Sequence, residues 1–88
     1  MHFLITWTYK PEHAKEVAAR FTEAGNAPPA GVKLLARWYD VAGGRGFAIV
    51  EPDDATIIAT WCRQWADLMT FEVVPVINDE QAAAIRAS

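Results

Sequence analysis

The chain alternates between short segments dense in β-branched and aromatic residues and longer stretches in which apolar residues recur every three or four positions. The short segments contain the residue types that favour β-strands, and we predict a strand in each. A glycine-rich stretch, 42–46, separates the second and third segments and predicts a β-hairpin. The predicted strands are residues 2–9 (HFLITWTY), 31–41 (GVKLLARWYDV), 47–51 (FAIVE) and 70–77 (TFEVVPVI).

The two longer stretches have the spacing of amphipathic α-helices. In the first, from Pro11 to Ala24, apolar residues fall at positions i, i+3, i+4 and i+7, and Gly25-Asn26 supplies a stop. The second begins after Pro52, with Asp53 as the expected N-cap. The predicted buried stripes are Ala14, Val17, Ala18 and Phe21 in the first helix, and Ile58, Trp61, Cys62, Trp65 and Leu68 in the second.

The elements follow one another as β-α-β-β-α-β, and a short alanine-rich helix capped by Asn78 or Asp79 extends to about Ala87. Right-handed crossovers place both long helices on one face of a four-stranded antiparallel sheet. This is the ferredoxin-like α+β sandwich, with strand order 4-1-3-2, and we expect residues 1–88 to form it as one domain. Pro75 supports the order, because a strand containing proline should lie at a sheet edge, as the fourth strand does.

The sheet face away from the helices is also predicted to be apolar. Alternate residues of a strand point to opposite faces, so each strand divides into two sets. Both sets are rich in apolar residues, whereas two helices cover only one face, and a large apolar patch needs cover in solution. We therefore predict a homodimer packed through the uncovered face; the alternative is that the C-terminal helix folds over it. The first set is Phe3, Ile5, Trp7, Leu34, Ala36, Trp38, Phe47, Ile49, Phe71, Val73, Pro75 and Ile77; the second is Leu4, Thr6, Thr8, Leu35, Arg37, Tyr39, Gly46, Ala48, Val50, Glu72, Val74 and Val76.

Composition narrows the range of functions. The net charge is −3 and the eight Lys and Arg residues are scattered, so we expect no nucleic-acid partner. No apolar run is long enough to span a membrane, and the N-terminus lacks the pattern of a signal peptide, so the expected location is the cytoplasm. With one cysteine and two histidines, we predict no metal site and no cofactor.

A ligand site is expected on the second set of sheet residues, if that set lines the dimer. Small side chains at its centre would leave a shallow apolar cavity with a few polar groups around it, which is the usual form of a small-molecule site. The alternative is that Arg37 and Glu72 form an ordinary ion pair across the dimer interface and that His2 is a partly exposed strand-end histidine. The candidate ligand-binding residues are Thr6, Thr8, Arg37, Tyr39, Ala48, Glu72 and His2.

Four segments together resemble a known family. They are TWTYKPEH, the hairpin RWYDVAGGRGFAIVE from Arg37 to Glu51, WCRQWADL and TFEVVPV, and they span nearly the whole chain. The chain resembles an uncharacterised prokaryotic family catalogued as domain of unknown function 3303. The resemblance implies a ferredoxin-like subunit of the dimeric α+β-barrel type, in which two sheets pack face to face around a central cavity. It implies no particular activity.

Three functions remain open from the sequence. The first is a homodimer that binds a small apolar or aromatic metabolite between its sheets. The second is a cofactor-free monooxygenase, cyclase or isomerase of the dimeric α+β-barrel type. The third is a purely structural dimerisation module. A large cavity with convergent polar side chains would favour the first two, whereas a cavity filled by Leu, Val and Thr side chains would favour the third.

Overall fold

The computed structural model describes residues 1–88 and contains one antiparallel sheet. Its strands are β1 (His2–Thr8), β2 (Val32–Tyr39), β3 (Arg45–Pro52) and β4 (Thr70–Val76). They lie in the order β2-β3-β1-β4, which confirms the predicted order and the ferredoxin-like α+β fold. Pro75 is in β4, which pairs only with β1 and is therefore an edge strand, as its missing N–H donor requires.

Three helices connect or follow the strands. They are α1 (Ala14–Glu23), preceded by a 3-10 turn (Pro11–His13), α2 (Ala55–Trp65) and α3 (Asp79–Ala87). None of these helices has the length and apolar character needed to cross a membrane.

The helix caps lie close to where the sequence places them. The N-cap of α2 is Asp54, so the prediction of Asp53 is wrong by one residue: the Asp54 carboxylate accepts a hydrogen bond from the backbone N–H of Thr56 at 2.8 Å. This bond lowers the pKa of Asp54. Asn78 caps α3 and forms a capping box with Gln81, each side chain accepting from the other's backbone N–H at 2.9 Å.

The hydrophobic core lies between the helices and the sheet. Its members come from β1, β2 and β3, from one residue of each long helix and from the turn after α2. No polar side chain is fully buried. The core residues are Ile5, Trp7, Val17, Val32, Ala48, Val50, Ile58, Leu68 and Met69.

Strand pairing decides which residues share a face of the sheet. Ile5 is paired with Ala48 of β3 and with Val73 of β4, and Trp7 is paired with Gly46 and Phe71 in the same way. The predicted grouping of β1 with β4 is therefore confirmed. The grouping with β3 is wrong, because the residues opposite the core positions of β1 are Gly46, Ala48 and Val50 and not Phe47 and Ile49.

A β-bulge divides β2 into two halves with opposite alternation. Leu34 is paired with Val50 and Ala36 with Ile49, which leaves Leu35 as the extra residue. Before the bulge, Leu34 faces the helices as predicted. After it, Ala36 and Trp38 face away from the helices, and the predicted grouping is wrong for this half of the strand. Arg37 and Tyr39 consequently face the helices.

Gly46 allows β1 and β3 to pair with the large Trp7 of β1 on the helix side. A Cβ atom at Gly46 would overlap Cζ2 and Cε2 of the Trp7 indole. The indole of Trp7 therefore occupies the space that a side chain at position 46 would need. Because the large side chain of Trp7 fills the space left by the missing side chain of Gly46, these two residues pack closely in the core.

The other face of the sheet, which we call the free face, is open. Trp38 is 65% exposed there and Val74 38% exposed. No residue of α3 is buried, so the alternative in which the C-terminal helix covers this face is not what the structure shows. By strand pairing the free face carries Ala36, Trp38, Phe47, Ile49, Leu4, Thr6, Thr8, Glu72 and Val74, with Lys33, Glu51, His2 and Val76 at one end.

Replacing Gly46 by alanine is expected to destabilise the protein by about 1–3 kcal/mol, the usual cost of overpacking a core. Denaturant unfolding of Gly46→Ala, Trp7→Phe and the double variant measures it. The smaller ring of Trp7→Phe should relieve part of the Gly46→Ala loss, which would appear as a coupling free energy between the two positions. An unfolding midpoint for Gly46→Ala equal to that of the wild type would contradict the packing described here.

Candidate functional site

A cavity of about 180 Å³ lies between α1, α2 and the helix-facing side of the sheet. Eleven of its fifteen lining residues are hydrophobic, so the interior is apolar. The sheet provides the floor and α2 one wall, while the end of α1 and the loop that follows it provide the other. The lining includes Trp7, Phe21, Arg37, Ala48, Trp61, Cys62, Gln64 and Trp65.

The cavity exists because α1 contributes little to the core. Of its predicted stripe only Val17 is buried, whereas Ala14 and Ala18 are exposed and Phe21 is half-buried. The sheet beneath also contributes little side-chain volume from β3, because Ala48 is the β3 residue that lines the cavity. Small side chains at the end of α1 and on β3 leave space that the aromatic side chains of α2 only partly fill.

Aromatic rings in edge-to-face and tilted contact surround this space. The ring of Phe21 lies 5.4 Å from that of Trp65 and 6.3 Å from that of Tyr39, centroid to centroid. Tyr39 in turn contacts Trp7 edge-on at 6.3 Å. These separations are typical of favourable aromatic pairs. The cluster links α1, α2, β1 and β2 around the cavity.

Arg37 brings a positive charge to the cavity wall. It follows the bulge in β2, which turns its side chain to the helix side of the sheet. Its guanidinium carbon lies 5.3 Å from the centre of the Phe21 ring, within the range of a cation–π contact. None of the ion pairs in the structure includes Arg37.

The other polar groups of the lining are neutral. Asn26 and Gln64 provide amides, and Cys62 provides a thiol whose pKa is raised by burial, so it stays protonated at neutral pH. No His, Asp or Glu lines the cavity. The cavity can therefore bind and orient a molecule, and it lacks a side chain that would take a proton from one.

An arginine bridge holds the two walls together beside the cavity. Arg20 of α1 donates to both carboxylate oxygens of Asp67, at 2.8 Å each, and to the backbone carbonyl of Gln64 at 3.3 Å. Its guanidinium also lies 5.4 Å from the centre of the Trp65 ring. The bidentate contact lowers the pKa of Asp67 and raises that of Arg20.

The predicted site residues do not share one surface. Arg37 and Ala48 line the cavity, and Tyr39 lies beside it through its contacts with Trp7 and Phe21. The remaining four, Thr6, Thr8, Glu72 and His2, are on the free face. The expectation of a common surface is wrong because of the Leu35 bulge and the pairing of β3 with β1. Whether any of the seven binds a ligand stays a prediction.

On the free face, the imidazole of His2 lies beside the carboxylate of Glu51. Its Nε2 lies 3.5 Å from a carboxylate oxygen of Glu51, and its Nδ1 is buried without a hydrogen-bond partner. No group of three or more His, Cys, Asp or Glu side chains is placed to hold a metal ion.

Sequence reasoning assigned Phe21, Trp61, Cys62 and Trp65 to the core and missed their place around a cavity. They do occupy the helix stripes that helical spacing predicts. The signal that could have revealed the space is the set of small residues that line it with them, namely Ala24 at the end of α1, Ala27 in the following loop and Ala48 on β3.

The family to which the chain belongs follows from comparison with known proteins. The protein family described as "Domain of unknown function (DUF3303)" matches residues 1–88. The chain belongs to this family. A Deinococcus radiodurans protein, classed provisionally as an antibiotic biosynthesis monooxygenase, superposes on this DUF3303 chain with a TM-score of 0.53. The two are 14% identical, with 89% of this chain and 94% of the other covered, a likeness that establishes the fold. No curated protein matches the chain in sequence.

Asp67→Asn is expected to remove part of the acid sensitivity of this DUF3303 protein. Because Arg20 lowers the pKa of Asp67 in the folded state, the ion pair stabilises the fold above the unfolded-state pKa, and that contribution is lost as the pH falls through the lowered value. Thermal melting between neutral and strongly acid pH measures the effect. The wild type should lose stability more steeply than Asp67→Asn.

The matched control for this measurement is Asp53→Asn, which makes the same change at an exposed carboxylate outside every ion pair. Its melting temperature should follow the wild-type pH dependence. Parallel curves for the wild type and Asp67→Asn would show that the bridge contributes nothing measurable.

Proposed function

We propose that this DUF3303 protein binds a small aromatic metabolite in the cavity between its helices and its sheet. The observation that carries the proposal is the aromatic, apolar lining of a space closed on three sides by α1, α2 and the sheet. Apolar cavities with a few fixed polar groups are the common form of small-molecule sites. The proposal keeps the ligand class expected from the sequence and moves the site from the dimer interface into the subunit.

The size of the cavity favours a ligand with one substituted ring. An apolar protein cavity of about 150 Å³ accepts benzene, and the cavity here has about 180 Å³. Trp7, Trp61 and Trp65 offer ring faces and edges to such a ligand. Contact with them would add to the favourable transfer of the ligand's apolar surface out of water.

The chemistry of the lining favours binding over proton-transfer catalysis. Isomerisation and cyclisation usually need a general base within hydrogen-bond reach of the substrate. The only titratable side chains in the lining are the guanidinium of Arg37 and the protonated thiol of Cys62. Neither accepts a proton at neutral pH.

A cofactor-free oxygenase is the second candidate, favoured by the fold shared with the Deinococcus protein. Such a reaction converts a phenol and dioxygen to a quinone and water: dioxygen takes four electrons from the phenol, one oxygen atom becomes the second carbonyl, and the other leaves as water. The apolar cavity suits both reactants. Dioxygen uptake with phenol as the substrate separates this candidate from binding alone.

We further propose that two copies of the chain associate through the free face. Trp38, Phe47, Ile49, Leu4 and Val74 form a continuous apolar area there by strand pairing, flanked by Glu72. Trp38 is 65% exposed in the single chain, and an area of this kind is a usual sign of an interface. A second copy presents the same area, so a two-fold contact would cover both.

Ligand binding is expected to shift the indole N–H signals of three tryptophans and to spare the fourth. Trp7, Trp61 and Trp65 line the cavity, whereas Trp38 is on the opposite face of the sheet. A two-dimensional ¹H–¹⁵N spectrum recorded during titration with toluene or phenol reads all four at once. Shifts confined to Trp38, or no saturable shift with either compound, would refute the cavity as the site.

The companion variant Ala48→Leu should weaken toluene binding by at least about tenfold, because the larger side chain fills the cavity floor. Ala27→Phe, in the exposed loop that lines the cavity, tests the same point without altering the core. Ala59→Leu is the control, because Ala59 is exposed on α2 and outside the lining. Equal affinity in all three variants would contradict the proposal.

Val74→Lys is expected to shift the protein from dimer to monomer by at least about tenfold in dissociation constant, since it places a charge within the apolar contact. Sedimentation velocity across a dilution series measures this. Val41→Lys makes the same change in the hairpin loop, where the side chain is fully exposed, and should leave association unchanged. A wild-type protein that sediments as a monomer at micromolar concentration would overturn the dimer.

A further inference from the structure

We propose that Arg37 makes the cavity selective for aromatic ligands that carry an anionic oxygen, as a carboxylate or a phenolate, on the ring. This inference rests on the proposed function and adds the charge of the ligand and the residue that recognises it. Its starting point is that Arg37 is the only charged residue that lines the cavity.

Arg37 is a half-buried cation without a protein partner. No ion pair includes it, and none of the side-chain hydrogen bonds in the structure uses its guanidinium. Arg20, the other half-buried arginine, is held by both oxygens of Asp67. Buried charges are ordinarily paired, because leaving them unpaired costs free energy. The contrast between the two arginines indicates that the partner of Arg37 is a molecule outside the chain.

The contact with Phe21 positions the guanidinium and leaves its donors free. A cation–π contact engages the charge through the ring face and uses none of the five N–H groups of an arginine. Tyr39, which contacts the same Phe21 ring edge-on, restricts the space in which that ring can move. The guanidinium is therefore held at the wall with a donor edge available to a planar pair of oxygens, the geometry that carboxylates provide.

The absence of acidic groups in the lining sets the direction of selectivity. A cationic ligand would meet the like charge of Arg37 with no carboxylate to offset it. A neutral ring gains only apolar contact. An anionic ring gains the same contact and a charge-assisted hydrogen bond, which is stronger in a site partly shielded from water.

Three single-ring probes of similar size test this selectivity: benzoate, benzamide and benzylamine, which are anionic, neutral and cationic at neutral pH. Dissociation constants come from calorimetry, and the indole signals of Trp7, Trp61 and Trp65 identify the cavity as the place of binding. We expect benzoate to bind about 10- to 100-fold more tightly than benzamide, the gain typical of a hydrogen bond to a charged group. Benzylamine should bind most weakly, and added salt should weaken only benzoate binding appreciably.

Two variants separate the role of Arg37 from general packing. Arg37→Met keeps most of the apolar stem and should reduce the affinity for benzoate to that for benzamide, with benzamide changed less than about threefold. Arg37→Lys keeps the charge and should retain a smaller preference for benzoate, because an ammonium lacks the planar fork. A preference for benzoate that persists in Arg37→Met overturns the assignment.

The outcomes distinguish this inference from the function on which it rests. Toluene binding in the cavity with equal affinities for benzoate and benzamide would overturn the anion selectivity and leave the proposed function standing. Failure of toluene, phenol and benzoate to bind would overturn both. 4-Nitrophenolate, measured above its pKa, shows whether a phenolate replaces the carboxylate, and tighter binding of phenolate than of benzoate assigns the ring oxygen as the group recognised.

Discussion

The packing of Trp7 over Gly46 is the contact on which the rest of the structure depends. The Trp7 indole occupies the space where a side chain at position 46 would begin. Only one register of β1 against β3 permits this, and in it Gly46, Ala48 and Val50 face the helices. A shift of one residue would place Phe47 against the indole and expose Val50, which is completely buried. The helix side thus receives the small residues of β3, and the open space above Ala48 follows from that choice.

The elements around the cavity are joined to one another near the C-terminal ends of the two long helices. Arg20 joins α1 to Asp67 beyond the end of α2, and the Phe21 ring bridges Trp65 and Tyr39. A chain of this size has few core residues, so an unfilled volume is a noticeable loss of packing. A protein that retains such a volume between aromatic walls is built in the way that ligand-binding proteins commonly are.

Much of the fold is predictable from the residues, and the arrangement of the site is not. Helical spacing predicts the two long helices, and the proline at position 75 predicts that the fourth strand lies at a sheet edge. Asn78, as a capping residue, predicts the start of the last helix. Period-two alternation assigns residues to faces only within a strand; the phase between strands depends on register, which for β3 is fixed by Trp7 meeting Gly46. The bulge at Leu35 has no local signature in KLLARW, and it exchanges the faces of Arg37 and Trp38. For that reason two of the seven predicted site residues line the cavity and four are on the opposite side.

The bulge at Leu35 decides which side of the sheet Arg37 faces, and the residue types around it do not. Val32 and Leu34 close the core at one end of β2, and the extra residue lets Arg37, three positions on, point to the same side of the sheet. A relative that paired β2 with β3 without this bulge could keep every side chain in common and still turn Ala36 and Trp38, in place of Arg37, toward the helices. In a relative of this chain, the register of β2 against β3 therefore decides, at any overall identity, whether an arginine at this position faces the helices.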